Sequence, residues 1–463
     1  MKDYQPTGGK LLLAADIGGT NSRLVLYESL GTEMEDDKVI HINEYKNENF
    51  PTFDFVLGTF LGEIWEGQHP TIFAGCFAVA GPVQNDKVNF NNLQSWIIDA
   101  KVIETTMNFE RVILINNFAA NGYGIHTLTE HDYTIIQDKP VVPGAPIVII
   151  GSGTGLGECF VIPNKYGPED DNYFVFATEG GHVDFAPRND LEIRIMKWLR
   201  NKLRDMPTQP GDIDVHSVVS EPPKQVYYTP EPRVSAERIV SAKGLVNIYE
   251  FLCDEFPDRI NAQYHQEIMT ADDKAKEISF SADHYPLAAD ALDIMLSAYG
   301  SQVGDAALKY LPAGGIYIAG GIAPKNLRRI TDTDSLFRKA LLDKGRLKGL
   351  IEDLPIFVFV KEDLGLRGAH ILAFREVFKY VQQENDRLVA ERRLLEHEEK
   401  KRFEDSLMKI EVQPGVSDLL HQVNAHMSQS FQDYTVFWAL AASLVTSGLF
   451  ALSIVKQFTK LKR

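Results

Sequence analysis

Apolar positions along this chain fall into short continuous runs separated by longer periodic stretches. Runs at 11–15 and 24–27 flank a glycine-bearing turn, and others lie at 72–80, 111–115, 147–150, 316–319 and 356–360. Continuous runs of this length predict buried strands, and glycines between the first two predict a tight hairpin. Apolar residues three and four apart predict helices over 190–204, 236–251, 287–311 and 333–344. Strands alternating with helices predict an α/β fold. Two stretches interrupt the pattern. Residues 205–233 are proline-rich and polar and read as a surface excursion. Residues 376–409 are crowded with Glu, Arg and Lys. Phe374, Phe378, Val381, Leu388 and Leu395 make a partial heptad stripe there that 384, 385, 391, 392 and 399 break, so a solvated helix is favoured over a short coiled coil.

The pattern changes again over 434–455, where 22 residues carry no charge and Lys456, Lys460, Lys462 and Arg463 follow. At about 1.5 Å per residue, such a helix crosses a hydrocarbon core roughly 30 Å thick. Tyr434 and Trp438 stand near one end, where interfacial aromatics belong. A single transmembrane helix is expected, inserted after synthesis, with the rest of the chain facing the cytosol. The outer membrane of a mitochondrion-related organelle is the expected location, with endoplasmic reticulum and peroxisome as alternatives. The first residues show no apolar stretch with a cleavage site, so passage through a signal peptide is not expected.

Composition narrows the classes of function. The 463 residues suffice for two or three domains, and 44% hydrophobic with 24% charged residues is ordinary for a globular protein. A net charge of −17 argues against sequence-independent binding to nucleic acid, which needs clustered cations, while leaving room for a local anion site. Cys76, Cys159 and Cys253 fit neither a disulfide framework nor a zinc site and read as buried thiols.

Five constellations carry candidate chemistry. In Asp16-Ile17-Gly18-Gly19-Thr20-Asn21, after a buried strand, the glycines let backbone N–H groups close on phosphate oxygens. Thr20 and Asn21 can add donors, and Asp16 can hold Mg²⁺ through water. Gly151-Ser152-Gly153-Thr154-Gly155-Leu156-Gly157 places glycines at every second position, as suits a loop approached by a triphosphate. It matches neither a Walker A loop nor a dinucleotide fingerprint. Glu179 and His182, in Thr178-Glu179-Gly180-Gly181-His182-Val183-Asp184-Phe185, can bond vicinal hydroxyls. Asn116, Asn117 and Asn121 lie at a strand's C-terminal end, where ligands bind in α/β crevices. Glu237 opens a helical stretch, with Ser235 as its candidate cap. Each also has a structural reading: a plain hairpin, a flexible loop, a structural histidine, a turn, or an acid favoured by a helix N-terminus.

Together these motifs resemble the bacterial-type glucokinase family, over about residues 11 to 373. The phosphate turn, Gly151–Gly157, the Glu-Gly-Gly-His-Val-Asp-Phe-Ala-Pro run starting at Glu179, and 235–249 occur in family order, followed by Gly320-Gly321 and 364–369. The cysteine-rich zinc motif of repressor-related sugar kinases is absent from the sequence. The resemblance implies an actin-like (ribonuclease H-like) two-domain sugar kinase, phosphorylating glucose to glucose 6-phosphate with ATP and Mg²⁺. It implies a small α/β domain over 1–118 with about 365–380 returning to it, and a large α/β domain over 119–364. A charged helical linker over 381–430 and the membrane helix 434–455 complete the layout, and a homodimer is one assembly left open. By the same resemblance, Asn116, Asn117, Glu179, His182 and Glu237 bind glucose. Asp16, Gly18, Gly19, Thr20, Asn21, Gly151, Gly153, Thr154 and Gly155 surround the metal and phosphates, and Gly320 and Gly321 lie near the adenosine. Two departures stand out. The family carries an aspartate, the general base, where this chain has Asn117, and an amide cannot accept a proton. Ala242-Lys243 replaces the family's Gly-Pro. The alternative function is therefore a membrane-tethered, catalytically impaired glucose- or nucleotide-binding pseudokinase, a scaffold or sensor; a third is phosphorylation of another hexose or an amino sugar.

Overall fold

The structure, a computed structural model, describes residues 4–90, 96–164, 173–204 and 232–408. The first sheet is built from β1 (Lys10–Ile17), β2 (Asn21–Ser29), β3 (Lys38–Lys46), β4 (Ile72–Val79) and, after a small ladder of β5 (Lys87–Asn89) and β6 (Ile97–Asp99), β7 (Phe109–Asn116). Its order is β3-β2-β1-β4-β7. β1 is antiparallel to β2 and parallel to β4, which is parallel to β7. β1 is apolar from Leu11 to Ala15 because both its faces are covered there. Leu11, Leu13, Ala15 and Ile17 pack with Phe53, Val56 and Phe60 of the helix Phe53–Ile64. Leu12 and Ala14 face Ala369, Ala373 and Val377 of the helix Leu364–Met408.

The second sheet contains β8 (Tyr133–Gln137), β9 (Ile147–Ser152), β10 (Leu156–Pro163), β11 (Tyr173–Thr178), β12 (Gly315–Ala319) and β13 (Ile356–Phe359). Its order is β11-β10-β9-β12-β13-β8, with β9, β12 and β13 parallel. The helices Asp190–Arg204, Ala242–Glu255 and Pro286–Tyr310 supply most of the core on one face. On the other, Cys159, Val161 and Ala319 meet Phe118 and Ile125. The helix Asn117–Gly124 touches both sheets: Ala120 joins the core of the first, while a β-carbon on Gly122 would lie 2.5 Å from Val175 of β11. Gly122 is therefore required by close approach.

Parallel strands end on a common side, and this is what assembles the site. Ile17, Val79 and Asn116 are in register at the ends of β1, β4 and β7, and Gly151 pairs Ala319 at the ends of β9 and β12.

Several expectations need adjustment. The stretch 236–251 splits into a 3-10 turn, Ala236–Arg238, and a helix, Ala242–Glu255. The Ser235 hydroxyl makes no cap bond; Ser241 caps the helix instead, accepting from Gly244 N at 2.9 Å. The start of this helix therefore forms without Gly-Pro, and Ala242 N–H bonds Gly153 O at 2.9 Å. The helix read over 333–344 spans Leu336–Leu342. The charged stretch is helical as far as Met408, in the helix that begins at Leu364, and the first compact unit ends at Gln382. Leu388, Val389, Leu394 and Leu395 are exposed on it, as on a solvated helix. All three cysteines are buried and free. Among the described residues no helix is long and apolar enough to cross a membrane. Residues 434–455, and 205–231 of the proline-rich stretch, fall outside the described residues.

Candidate active site

The turn between β1 and β2 is held in shape from below. Gly18 N bonds Asn21 O at 2.9 Å, and the buried Asn47 grips the turn three ways. Its amide nitrogen donates to Gly18 O at 2.9 Å, its backbone N–H to Thr20 O at 2.8 Å, and its side-chain oxygen accepts from Ser22 Oγ at 2.7 Å. Thr20 is left exposed at the tip. Asn21 Nδ2 donates to Glu44 at 2.5 Å, and its Oδ1 is buried with no partner. Asp16 sits at the strand end, and burial pushes its carboxyl up to about 6, with Arg23 pulling it down and Glu44 pushing it further up. A β-carbon on Gly365 would stand 3.2 Å from both Asp16 Oδ2 and Asn121 Oδ1, so both oxygens border the same small space. Among the described residues, no three His, Cys, Asp or Glu side chains gather as a metal cage. A lone carboxylate beside an amide oxygen suits a hard cation that keeps most of its waters.

The second glycine loop faces this turn. A β-carbon on Gly19 would lie 3.5 Å from the Thr154 methyl, and one on Gly153 would lie 3.9 Å from Gly321 N. The two turns and the Gly320–Gly321 corner therefore line one crevice. Several of these glycines are also required by the close approach of protein groups. Gly151 belongs to β9, where Ala319 and the Phe118 ring occupy the space of a side chain. Gly157 is filled by the same ring, and Gly155 by the Glu237 carboxylate. Gly320, at φ 79°, takes a conformation favouring glycine while pressing on the backbone of Ser152. Beneath the loop, the buried Tyr299 hydroxyl accepts from Ser152 N at 3.2 Å and reaches Ile150 O at 3.3 Å. Burial pushes that phenol far above its ordinary value.

The hydroxyl-binding candidates come from three segments. Asn116 is the N-cap of the helix Asn117–Gly124: its Oδ1 accepts from Phe118 N at 2.9 Å and Ala119 N at 3.2 Å, and its Nδ2 reaches Gly81 O at 3.3 Å. Asn117 Oδ1 lies 3.0 Å from Phe118 N. Asn116 and Glu179 line one cleft of about 420 Å³, walled by Val83, Gln84, Tyr123, Val175 and Thr178. His182 Nε2 is 3.8 Å from Glu179, and both side chains are about half exposed. Their turn is pinned to the Glu237 turn by Ala236 N to Val183 O at 2.8 Å and Phe185 N to Val234 O at 2.9 Å. Glu237 in turn accepts Leu156 N at 2.9 Å, fastening the sugar side to the glycine loop.

Two carboxylates from the sequence around Asn117, Asp99 and Asp132, are committed elsewhere. Asp99 caps the helix Ala100–Thr106 and pairs Lys87 at 2.7 Å. Asp132 is buried between Lys361 at 2.5 Å and Arg367 at 3.1 Å, which hold its carboxyl well below the usual range. Sequence reasoning missed Asn47, Tyr299 and Glu362, which act through long-range contacts that no local motif signals; Arg23 ends the phosphate-turn motif, but its partners Glu44 and Glu362 are not legible there.

An α/β crevice of this kind has clear relatives. The family profile described as Glucokinase matches residues 13–210 and 224–376. A glucokinase from Nostoc sp. is 36% identical over 378 residues, covering 79% of this chain and 99% of that protein. The glucokinase of Balamuthia mandrillaris, solved in complex with glucose, superposes with a TM-score of 0.62 at 18% identity, over 80% of this chain and 94% of that one. A ROK family glucokinase from Streptomyces griseus, solved in complex with glucose and AMPPNP, gives 0.50 at 18% identity, over 79% and 99%. The last two likenesses define the class, a sugar-kinase fold. The first two matches define the particular group: this chain belongs to the glucokinase family.

Proposed function

We propose that the protein is a glucokinase, an ATP-dependent hexose 6-phosphotransferase making glucose 6-phosphate. The observation that carries this reading is the meeting of the Gly19 and Thr154 turns beside the crevice holding Asn116 and Glu179. The sugar's 6-hydroxyl oxygen forms the new bond to the γ-phosphorus, and the β–γ bridging oxygen leaves with ADP. Backbone N–H groups of Gly18, Gly19, Gly153 and Thr154, with Thr20 and Asn21, cradle the phosphates. Asn116, Glu179, His182 and Glu237 orient the ring, and Gly320 and Gly321 border the adenosine. Mg²⁺, held by Asp16 through water, would supply charge neutralisation at the phosphates.

Asn117 positions the hydroxyl by hydrogen bonding and takes no proton from it. In a loose transition state the hydroxyl proton leaves late, to a phosphoryl oxygen or water, so positioning alone sustains slower turnover. Glucose-dependent ADP release by the full-length chain, solubilised in detergent, tests the reading. Calorimetric glucose binding without any release would replace it with the tethered pseudokinase. A panel of other hexoses and amino sugars in the same assay would reassign the substrate if one outpaced glucose.

We also propose that 434–455 spans a membrane and leaves the kinase on the cytosolic face, on the outer membrane of a mitochondrion-related organelle. The support is the uncharged length with its flanking aromatics and cations. Alkaline carbonate should leave the full chain in the membrane pellet and release a chain lacking 434–463. Release of both would refute the span.

A further inference from the structure

The guanidinium of Arg23, on β2 just past the phosphate turn, joins groups that are distant in sequence. Nε donates to Glu44 Oε2 at 2.8 Å, Nη1 to the backbone carbonyl of Glu362, and Nη2 to Glu362 Oε2 at 3.2 Å. Glu44, on β3, also takes the amide of Asn21 from the phosphate turn at 2.5 Å. Glu362 follows β13, in the second sheet. With Oε2 turned to Arg23, its other oxygen stands 3.0 Å from where a β-carbon of Gly321 would be. Lys325 Nζ lies 3.7 Å from that same oxygen. A continuous polar chain therefore runs from the tip of the phosphate turn, through Glu44 and Arg23, to the carboxylate on the Gly320–Gly321 wall.

The chemistry of this chain is specific to arginine. Its planar fork directs three nitrogens to three acceptors at once, fixing the backbone and the side chain of Glu362 together; an ammonium would keep the charge and lose the directions. Arg23 and Glu362 are each partly exposed, so ordinary surface pairing would contribute little to stability. Their placement matters more than their strength. The bridge joins the first sheet to the second at the mouth of the crevice where the phosphates and the adenosine of one nucleotide would both have to fit.

We propose that Arg23 is a positioning residue for the nucleotide: it fixes the Glu362 carboxylate at the Gly321 wall in register with the phosphate turn, without itself touching phosphate. This rests on the glucokinase reading and names a determinant of its nucleotide affinity. Lys325, paired with the free edge of Glu362, closes the outer side of the same wall.

The test compares full-length wild type, Arg23→Met, Glu362→Gln and the double variant, titrated separately with AMPPNP and glucose and assayed for both KM values. Each single variant should weaken AMPPNP binding and raise the KM for ATP on the order of tenfold, as small misplacements of binding groups do. Glucose affinity should stay within about twofold, because the sugar residues are held by other bonds, and the double variant should be little worse than either single one. Arg23→Lys should fall nearer Arg23→Met than wild type. Equal losses for glucose and nucleotide would reduce Arg23 to a structural prop and overturn the proposal, as would unchanged nucleotide affinity or fully additive losses. If Arg23→Met shows no cooperative melting, the half-exposed Glu362→Gln decides by the same split. Wild type that binds glucose but not AMPPNP would sink the kinase reading itself, a result distinct from variants that bind AMPPNP as wild type does.

Discussion

At the scale of single residues, Asn117 is the informative position. It begins the helix Asn117–Gly124, and its side-chain oxygen turns to Phe118 N at 3.0 Å. Neither Asp99 nor Asp132 can substitute for a base, since both are engaged in caps and ion pairs. Asn117→Asp should therefore raise kcat for glucose on the order of 10²–10⁴-fold, the usual worth of general-base assistance. The added carboxylate stands at a helix N-terminus, where a negative charge is welcome, so the fold should tolerate it. Steady-state ADP release at saturating glucose and ATP, on both proteins, makes the comparison. An unchanged kcat would mean that proton removal does not limit the reaction and that positioning carries it.

At the scale of elements, the phosphate turn shows how a motif depends on residues outside it. Asn47 lies after β3, yet it supplies three of the bonds that shape residues 18–22. Asn47→Ala removes both side-chain bonds and leaves the Ser22 hydroxyl unpaired in a buried place, which should cost about 1–3 kcal/mol. The KM for ATP should rise more than that for glucose, and thermal melting with parallel kinetics reads both effects. Equal KM values in variant and wild type would show that the turn keeps its shape unaided. The glycine loop makes the complementary point about legibility. Its alternating glycines suit a loop approached by a triphosphate, and in the structure Gly151, Gly155 and Gly157 also admit Ala319, Glu237 and Phe118. A glycine pattern announces close approach without saying what approaches: in this loop a ring and a carboxylate from distant segments take most of the room, leaving Gly153 beside Gly321.

At the scale of the whole molecule, legibility follows position in the sheets. β1, β4, β9, β12 and β13 are interior strands, covered on both faces, and appear in sequence as apolar runs. Of the sheet edges, β7 shows as an apolar run, whereas β3 and β11 do not, because exposed positions such as Ile42, Glu44 and Lys46, or Phe174 and Phe176, alternate there with covered ones. The joint at Asp132 is equally hidden, since its charged partners lie more than two hundred residues away. Asp132 precedes β8, and its backbone carbonyl takes Val360 N at 2.9 Å beyond β13. Its carboxylate accepts Thr129 N at 2.8 Å, Lys361 at 2.5 Å, and Arg367 at 3.1 Å from the helix Leu364–Met408. This one buried side chain ties the second sheet to the helix that covers the first. Its folded pKa is depressed, chiefly by Arg367, so its contribution is present above the unfolded value of about 3.9 and fades as pH falls below it. Asp132→Asn keeps the shape but leaves Arg367 and Lys361 facing an uncharged partner. It should cost roughly 3 kcal/mol near neutral pH, the low end for a broken buried pair because Lys361 is half in solvent. Melting curves of the full chain between about pH 3 and pH 7 should show the gap between wild type and variant narrowing toward the acid end. A gap that stayed constant across that range would mean the Asp132 charge plays no part in holding the helix to the sheet.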